Sequence, residues 1–379
     1  MALTQSISAS TGVFFLEDFP QYHRRVDSLG SGSQARVELW QNVHTKDLFA
    51  VKILKKREGT DYPKEVKIHQ QLGHHDSIVH CYAFYFQQPT PETDCILFEP
   101  CSKRDLFDFW YDQRQFNKAI FSEGFIWSVY FQLASALAFL HEGVGAKDGN
   151  DFWQPVVHCD IKMENVLIKD FGTKSDMSGI KIKLSDFGMA RNYNPRDNLM
   201  LKHWGTPQFW PPESTYDRPI AAPPSDVWAI GGIIHKITNS FSPIQDPKAF
   251  EALAKQELPN HPFFSNANLS KQKKTFVFEA SVPRQVWPIN LEEFEQDPFR
   301  GRRYRWTPKY SDELNRCMML ALEWDKDKRA IASFLRAQLE EGQAAYHFAE
   351  LQEEHSSFLE DDEDSGDEDE GLEYENLLM

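Results

Sequence analysis

The stretch VVHCDIKMENVLI, residues 156–168, carries an acid, a lysine and an amide within six positions: Asp160, Lys162 and Asn165. Apolar, strand-like runs lead in and out of it. Asp160 can accept a proton from an attacking hydroxyl. Lys162 can neutralise charge developing on a transferred phosphoryl group. Asn165 offers an oxygen to magnesium, a hard cation that takes oxygen ligands, and Asp186 in SDFG offers a second. Taken singly, each is an ordinary polar loop residue. The set, in this order, points to phosphoryl transfer.

Two more groups fit that chemistry. In LGSGSQARV (29–37), Gly30 and Gly32 sit at a turn between strand-like runs, where the missing Cβ lets backbone N–H groups approach an anion. A plain hairpin turn reads the same way, and Ala35 stands where a third glycine would complete the usual pattern. Lys52 is a lone cation in the apolar run FAVKIL. A desolvated ammonium needs a partner. Glu65, thirteen residues on, provides one if its helix packs on the strand; an outward-facing lysine and a solvated glutamate are the alternative.

These groups need elements to hold them. RRVDSLGSGSQARVELWQN, DLFAVKIL and CILFEP (95–100) read as strands, and PKEVKIHQQL as a helix with Val66, Ile68 and Leu72 apolar. Residues 123–142 form the strongest helix, with Ile126, Val129, Tyr130, Leu133, Leu137 and Leu140 at helical spacing and Ser122 as its cap. IKIKLS (180–185) alternates as a half-buried strand. Beyond residue 205 the strong segments are helical. Strands first and helices later predict an α+β fold with a small strand-rich part and a larger helical part.

In this order the motifs resemble the eukaryotic protein kinase family over roughly residues 22–340. The resemblance rests on the glycine loop 30–37, Ala50-Val51-Lys52, Glu65, His158-Cys159-Asp160 through Asn165, Asp186-Phe187-Gly188, Pro211-Pro212-Glu213, Asp226-Val227-Trp228 and Arg329. It implies a bilobal fold, with an N-lobe at 22–100 and a C-lobe at 101–340, closing on ATP and Mg2+. Asp160 would be the catalytic base, assisted by Lys162, and Asn165 and Asp186 would bind magnesium. Lys52, held by Glu65, would grip the α/β-phosphates. Leu29, Gly30, Ser31, Gly32, Val37, Ala50 and Leu167 would surround the nucleotide, with Phe98 as gatekeeper and Glu99 to Cys101 as the hinge. Asp-x-Lys-x-x-Asn and GTPQFWPPE (205–213) resemble the serine/threonine branch, in which Thr206 bridges the catalytic acid and lysine; Glu213 would pair with Arg329.

The sequence departs from the family where an arginine usually precedes the catalytic acid and receives an activation-segment phosphate. Here Cys159 stands instead, and residues 189–205 contain no serine or threonine; Tyr193 is their only phosphorylatable hydroxyl. Receiver and donor are missing together, so an activation segment ordered without phosphorylation is expected. A redox-active Cys159 is the rival reading. Insertions lengthen 143–155 and 169–179, and 241–310 is an expanded stretch that is either a docking region or surface elaboration. A pseudokinase scaffold and a small-molecule kinase are the other functional classes. The first is disfavoured because Lys52, Asp160, Asn165 and Asp186 are all present, the second because GTPQFWPPE and Arg329 are protein-kinase features.

Composition sets the outer bounds. The net charge is −16, but sixteen of the 57 acids follow Arg336, where there is no lysine or arginine; the remainder of the chain balances its 41 bases. The body gives no support for nucleic-acid binding. The acid excess predicts a disordered tail over 341–379, read as solvating, as a ligand for a basic partner, or as autoinhibitory; Ser357 and Ser365 there resemble acidophilic-kinase sites. Residues 1–21 read as a flexible lead-in without a signal-peptide pattern. The apolar run VWAIGGII (227–234) is shorter than a membrane span, and the five cysteines form no zinc-type spacing. A reduced cytoplasmic protein, with a nuclear location also open, acting on protein substrates with Ser/Thr acceptors and on no membrane, is the expectation.

Overall fold

The computed structural model describes residues 19–31, 35–56, 61–101, 103–115, 120–147, 153–173, 175–196, 205–257, 270–299 and 307–363. Gly32 lies outside the described residues. The strand-forming part of the chain folds as β1 (His23–Ser31), β2 (Ala35–Asn42), β3 (Leu48–Lys55), β4 (Cys81–Tyr85) and β5 (Thr93–Phe98). They make one antiparallel sheet in the order β1-β2-β3-β5-β4. The two-residue period of β3 sorts its side chains. Phe49, Val51 and Ile53 join Trp40, Tyr85, Cys95 and Leu97 in one core. Ala50 turns the other way, toward Val66, Phe84, Ile96 and Phe98.

The expected flexible lead-in is too long by a few residues. Phe19, in the single turn α1 (Phe19–Tyr22), is buried, stacks on His23 at 4.4 Å and packs against Trp40 and Tyr85. An aromatic ring that size carries enough apolar area to dock the chain before the first strand. Helix α2 (Lys64–Leu72) starts at Pro63 and buries Glu65, Val66, Ile68, His69 and Leu72.

The helical part begins with α3 (Leu106–Gln115) and α4 (Glu123–Glu142). The Ser122 hydroxyl accepts the Phe125 N–H at 3.1 Å, and Gly143 closes α4 at φ +70°. More than the expected stripe is covered: α4 is buried on most of its circumference. It is long and apolar enough to cross a membrane, and 83% of that stretch lies inside the fold. The other helices are α5 (Pro223–Asn239), α6 (Pro247–Glu257), α7 (Lys271–Ser281), α8 (Asp312–Ala321) and α9 (Ala332–Glu363), of which α5 and α9 pack on α4. Among the described residues, the stretch 241–310 contributes the α-helices α6 and α7.

Two short ribbons carry the chemistry. β6 (Val156–Val157) pairs with β9 (Arg191–Asn192), and β7 (Val166–Asp170) pairs with β8 (Lys181–Leu184). Because Val166 lies opposite Leu184, Asn165 and Ser185 leave the ribbon at one end, where the Ser185 N–H meets the Asn165 carbonyl at 2.8 Å.

The domain boundary expected at 340/341 falls inside α9, which runs on to Glu363. Ala, Gln, Glu and Leu are strong helix formers, and the helix packs along α4, which outweighs the acidity that reads as disorder. Residues 364–379, with Ser365, lie outside the described residues.

Candidate active site

Strand β3 and helix α2 bring Lys52 and Glu65 together. The Lys52 Nζ lies 3.0 and 2.8 Å from the Glu65 carboxylate oxygens and 2.8 Å from Asp186 Oδ1. Burial alone would push the ammonium down; Glu65 and Asp186 outweigh it and hold it above its ordinary value, firmly charged. Burial would likewise raise Asp186, but Lys52 pulls it below the usual carboxylate range. Asp186 stays half-exposed at φ +61°, a strained conformation for a residue with a Cβ.

The loop 158–165 holds Asp160. Its Oδ1 accepts the Thr206 hydroxyl at 2.9 Å, and its Oδ2 faces Lys162 Nζ at 3.0 Å. Asn165 donates its amide N–H to the Asp160 carbonyl at 2.7 Å. That use of the nitrogen leaves the Asn165 side-chain oxygen as an acceptor.

Asp226 on α5 fixes the loop from beneath. Its carboxylate takes the backbone N–H of His158 at 2.7 Å and of Cys159 at 3.2 Å, and faces His141 at 3.1 Å. Those bonds hold Cys159 at φ +68°. Gly205 is required opposite it: a Cβ there would stand 2.6 Å from the Cys159 carbonyl oxygen. Phe187 is buried between His158 and His69, each ring 4.8 Å away. The Glu213–Arg329 pair is bidentate at 2.8 and 2.9 Å.

Strand register sets the positions of the residues expected to surround the nucleotide. Val37 lies opposite Lys52, Gly30 opposite Val37, and Ala50 opposite Phe98. Leu29 is exposed and Leu167 half-buried. Ser31 ends β1. Cys101 directly follows Glu99-Pro100, and burial pushes its thiol up to about 11. Glu99 follows β5 directly, in the expected hinge. Its carboxylate is turned to Lys183 at 2.9 Å and Lys169 at 3.3 Å and accepts the His80 N–H at 2.9 Å. Cys159 is fully buried, and burial together with Asp226 drives its thiol far above the ordinary range, which argues against a reactive thiolate.

Sequence reasoning missed His69 and Arg284. His69 had a signal, since it lies one helical turn after Glu65 on the same face. Arg284 had none: its guanidinium is buried and donates to the Val282 and Pro207 carbonyls at 3.0 Å each, supporting the chain just after Thr206.

Residues 23–337 match the protein kinase domain. The chain belongs to that family. It is 25% identical over 333 residues to zebrafish (Danio rerio) myosin light chain kinase 3, covering 81% of this chain and 41% of that protein. It is 27% identical over 264 residues to myosin light chain kinase A of Dictyostelium discoideum, covering 66% and 78%. It is 23% identical to the Dictyostelium discoideum protein named probable serine/threonine-protein kinase MARK-B, covering 76% and 38%. The chain thus spans about two fifths of the zebrafish relative and of the last of these. The family uses ATP and Mg2+, and the oxygen donors Asn165 and Asp186 suit such an ion.

Proposed function

We propose that this chain is an active serine/threonine protein kinase that transfers the ATP γ-phosphoryl group to hydroxyls of protein substrates. The observation that carries this reading is that Lys52–Glu65–Asp186 and Lys162–Asp160–Thr206 meet through Asn165, whose amide donates to the Asp160 carbonyl and whose own carbonyl takes the N–H of Ser185, next to Asp186. Lys52 grips the α- and β-phosphate oxygens. A substrate hydroxyl beside Asp160 attacks the γ-phosphorus, its proton passes to the Asp160 carboxylate, and the bond to ADP breaks. Lys162 balances charge on the transferring oxygens. Magnesium, held by Asn165 and Asp186, would supply charge neutralisation of the phosphates. The names of the relatives support Ser/Thr acceptors, as do Lys162 and Thr206.

The chain works without activation-segment Ser/Thr phosphorylation. Support comes from Cys159, which offers no cation to a phosphate, and from the lack of Ser and Thr in 189–205; residues 197–204 lie outside the described part of the structure.

Labelled ATP and a peptide library test the first claim. Phosphate should appear on serine or threonine. Asp160→Asn should lose roughly 10²–10⁴-fold in kcat with nucleotide affinity retained. Lys52→Met should lose both rate and phosphate positioning. Wild type that binds Mg-ATP without ever transferring phosphate would overturn the reading. Enzyme made in bacteria and treated with phosphatase should keep its activity; collapse on treatment would sink the second claim.

A further inference from the structure

Helix α9 is apolar on two sides. On the inner side Leu335 and Leu339 are fully buried and Gly342 lies against Trp127; this side packs on α4 and α8. The opposite side carries a second apolar row at Phe334, Ala337, Ala344, Phe348 and Leu351, all exposed. Phe334 is 49% exposed, and Phe348 and Leu351 are each 63% exposed. Together with Glu341 these positions recur at alternating steps of three and four residues, and the sequence keeps the steps through His355 to Phe358. That is the 3.5-residue period of a seam between paired helices. Single exposed apolar side chains are ordinary, but a row in register along about 26 Å of one helix marks a binding face.

The charge along this helix is of one sign. From 337 to 363 it carries nine acids and no lysine or arginine. Its single arginine, Arg336, is engaged within the molecule, 3.4 Å from Glu340 and over the Phe131 ring. Glu341 stands in the middle of the row. It accepts the Gln338 amide at 3.5 Å and forms no ion pair among the described residues. Whatever covers the row takes the Glu341 carboxylate out of water, which is costly unless the covering surface brings a cation. A second copy of this chain does not meet that need. Two α9 helices packed seam to seam bring acids together, and in parallel register they set Glu341 against Glu341.

We propose that the outward row of α9 docks an amphipathic helix of a partner protein. That helix is apolar along one seam, flanked by lysine or arginine, and carries one such cation in the seam opposite Glu341. The apolar row supplies the contact area, and the acids select the sign and register of the helix that lies on it. Because the other side of α9 is packed on α4, the row is presented preformed and little ordering accompanies docking. The surface goes beyond the phosphotransfer reading and does not depend on it: a chain without turnover would carry the same dock.

The test uses the full chain and fluorescein-labelled peptides of three heptads. The basic peptide has leucine along the seam, lysine at the flanking positions and one lysine at a seam position of the middle heptad, made once at each of the two. A second peptide has leucine throughout the seam, and a third scrambles the first. Fluorescence anisotropy gives the Kd of each. The basic peptide should bind roughly tenfold more tightly than its scrambled form of equal charge, and Phe348→Ser or Leu351→Ser should each remove about that factor. Both side chains are exposed, so the fold should tolerate either change; Phe334→Ser reads the same surface if one of them lowers the Tm. Glu341→Leu should reverse the preference, from lysine in the seam to leucine. An unreversed order would overturn the cation opposite Glu341. Equal binding of ordered and scrambled peptides would reveal only attraction of charge to an acidic chain and overturn the dock, as would unchanged affinity in the serine variants. Sedimentation of the chain alone decides the remaining occupant: a dimer that Phe348→Ser dissociates would put a second copy on the row and overturn the basic partner.

Discussion

His69 stands 4.8 Å from the Phe187 ring and 5.4 Å from Phe98, with its Nε2 buried and unpartnered. Burial pushes this imidazole down to about 3, and the nearby Lys52, His80 and His158 add repulsion to its charged form. An unfolded histidine titrates near 6.5, so below that pH the unfolded chain binds a proton that the folded chain refuses. The stability contributed above about pH 6.5 is lost as the pH falls toward the folded value. His75, lowered to about 4 mainly by burial, adds to the same trend. His69→Leu fills the slot with apolar atoms and removes the orphaned nitrogen. It should raise stability by about 1–3 kcal/mol at neutral pH. It should also flatten the fall of Tm between pH 6.5 and 4.5 in calorimetry. A variant with the wild-type acid slope would assign the sensitivity to other groups.

Helix α9 shows two local effects in opposition. Gly342 lies within it, and a Cβ there would stand 2.6 Å from the Cη2 atom of Trp127, a fully buried ring on α4. Alanine in a helix interior is favoured over glycine by about 1 kcal/mol. Overpacking against a ring that cannot retreat costs about 1–3 kcal/mol. Packing wins, so Gly342→Ala should destabilise the protein in urea titration, with the loss recovered when Trp127 is shortened to phenylalanine. Stabilisation instead would mean that α9 rides loosely on α4. The same helix marks how far the elements were legible in the sequence. The Ser122 cap and the alternation of Ile180, Ile182 and Leu184 emerge as read, because their signals are local. The passage of α9 beyond residue 340 did not, because its acids read as solvated while the face that holds it down is given by contacts with α4. Phe19 was misread for the same reason: its partners Trp40 and Tyr85 lie on other strands.

Two sets of charges join the strand-rich and helical lobes. Lys52 on β3 reaches Asp186 beyond β8, and Glu99 at the hinge reaches Lys169 on β7 and Lys183 on β8. The first link was readable from motif order alone, since the spacing of Lys52, Glu65, Asp160, Asn165 and Asp186 announces a common ligand. The second was not, because nothing in IKDF or KIKL says which lysine turns toward a glutamate seventy or more residues away. It would bear on nucleotide affinity if the lobes close on ATP, since the backbone of Glu99 to Cys101 joins β5 to the helical part. Burial would raise the Glu99 carboxyl, but the hydrogen bond from Lys183, the His80 N–H and the charges of Lys183 and Lys169 together hold it below its usual value. Glu99→Gln keeps an acceptor for His80 and removes the charge that both lysines face. Lys183 is mostly buried, so its ammonium would be left without its anion. Stability should drop by about 1–3 kcal/mol. The lobes should close less readily, so the KM for ATP should rise several-fold while kcat at saturating ATP changes little. Thermal unfolding and steady-state kinetics on the same preparation decide it: an unchanged Tm with an unchanged KM would show that the hinge holds its geometry without this clamp.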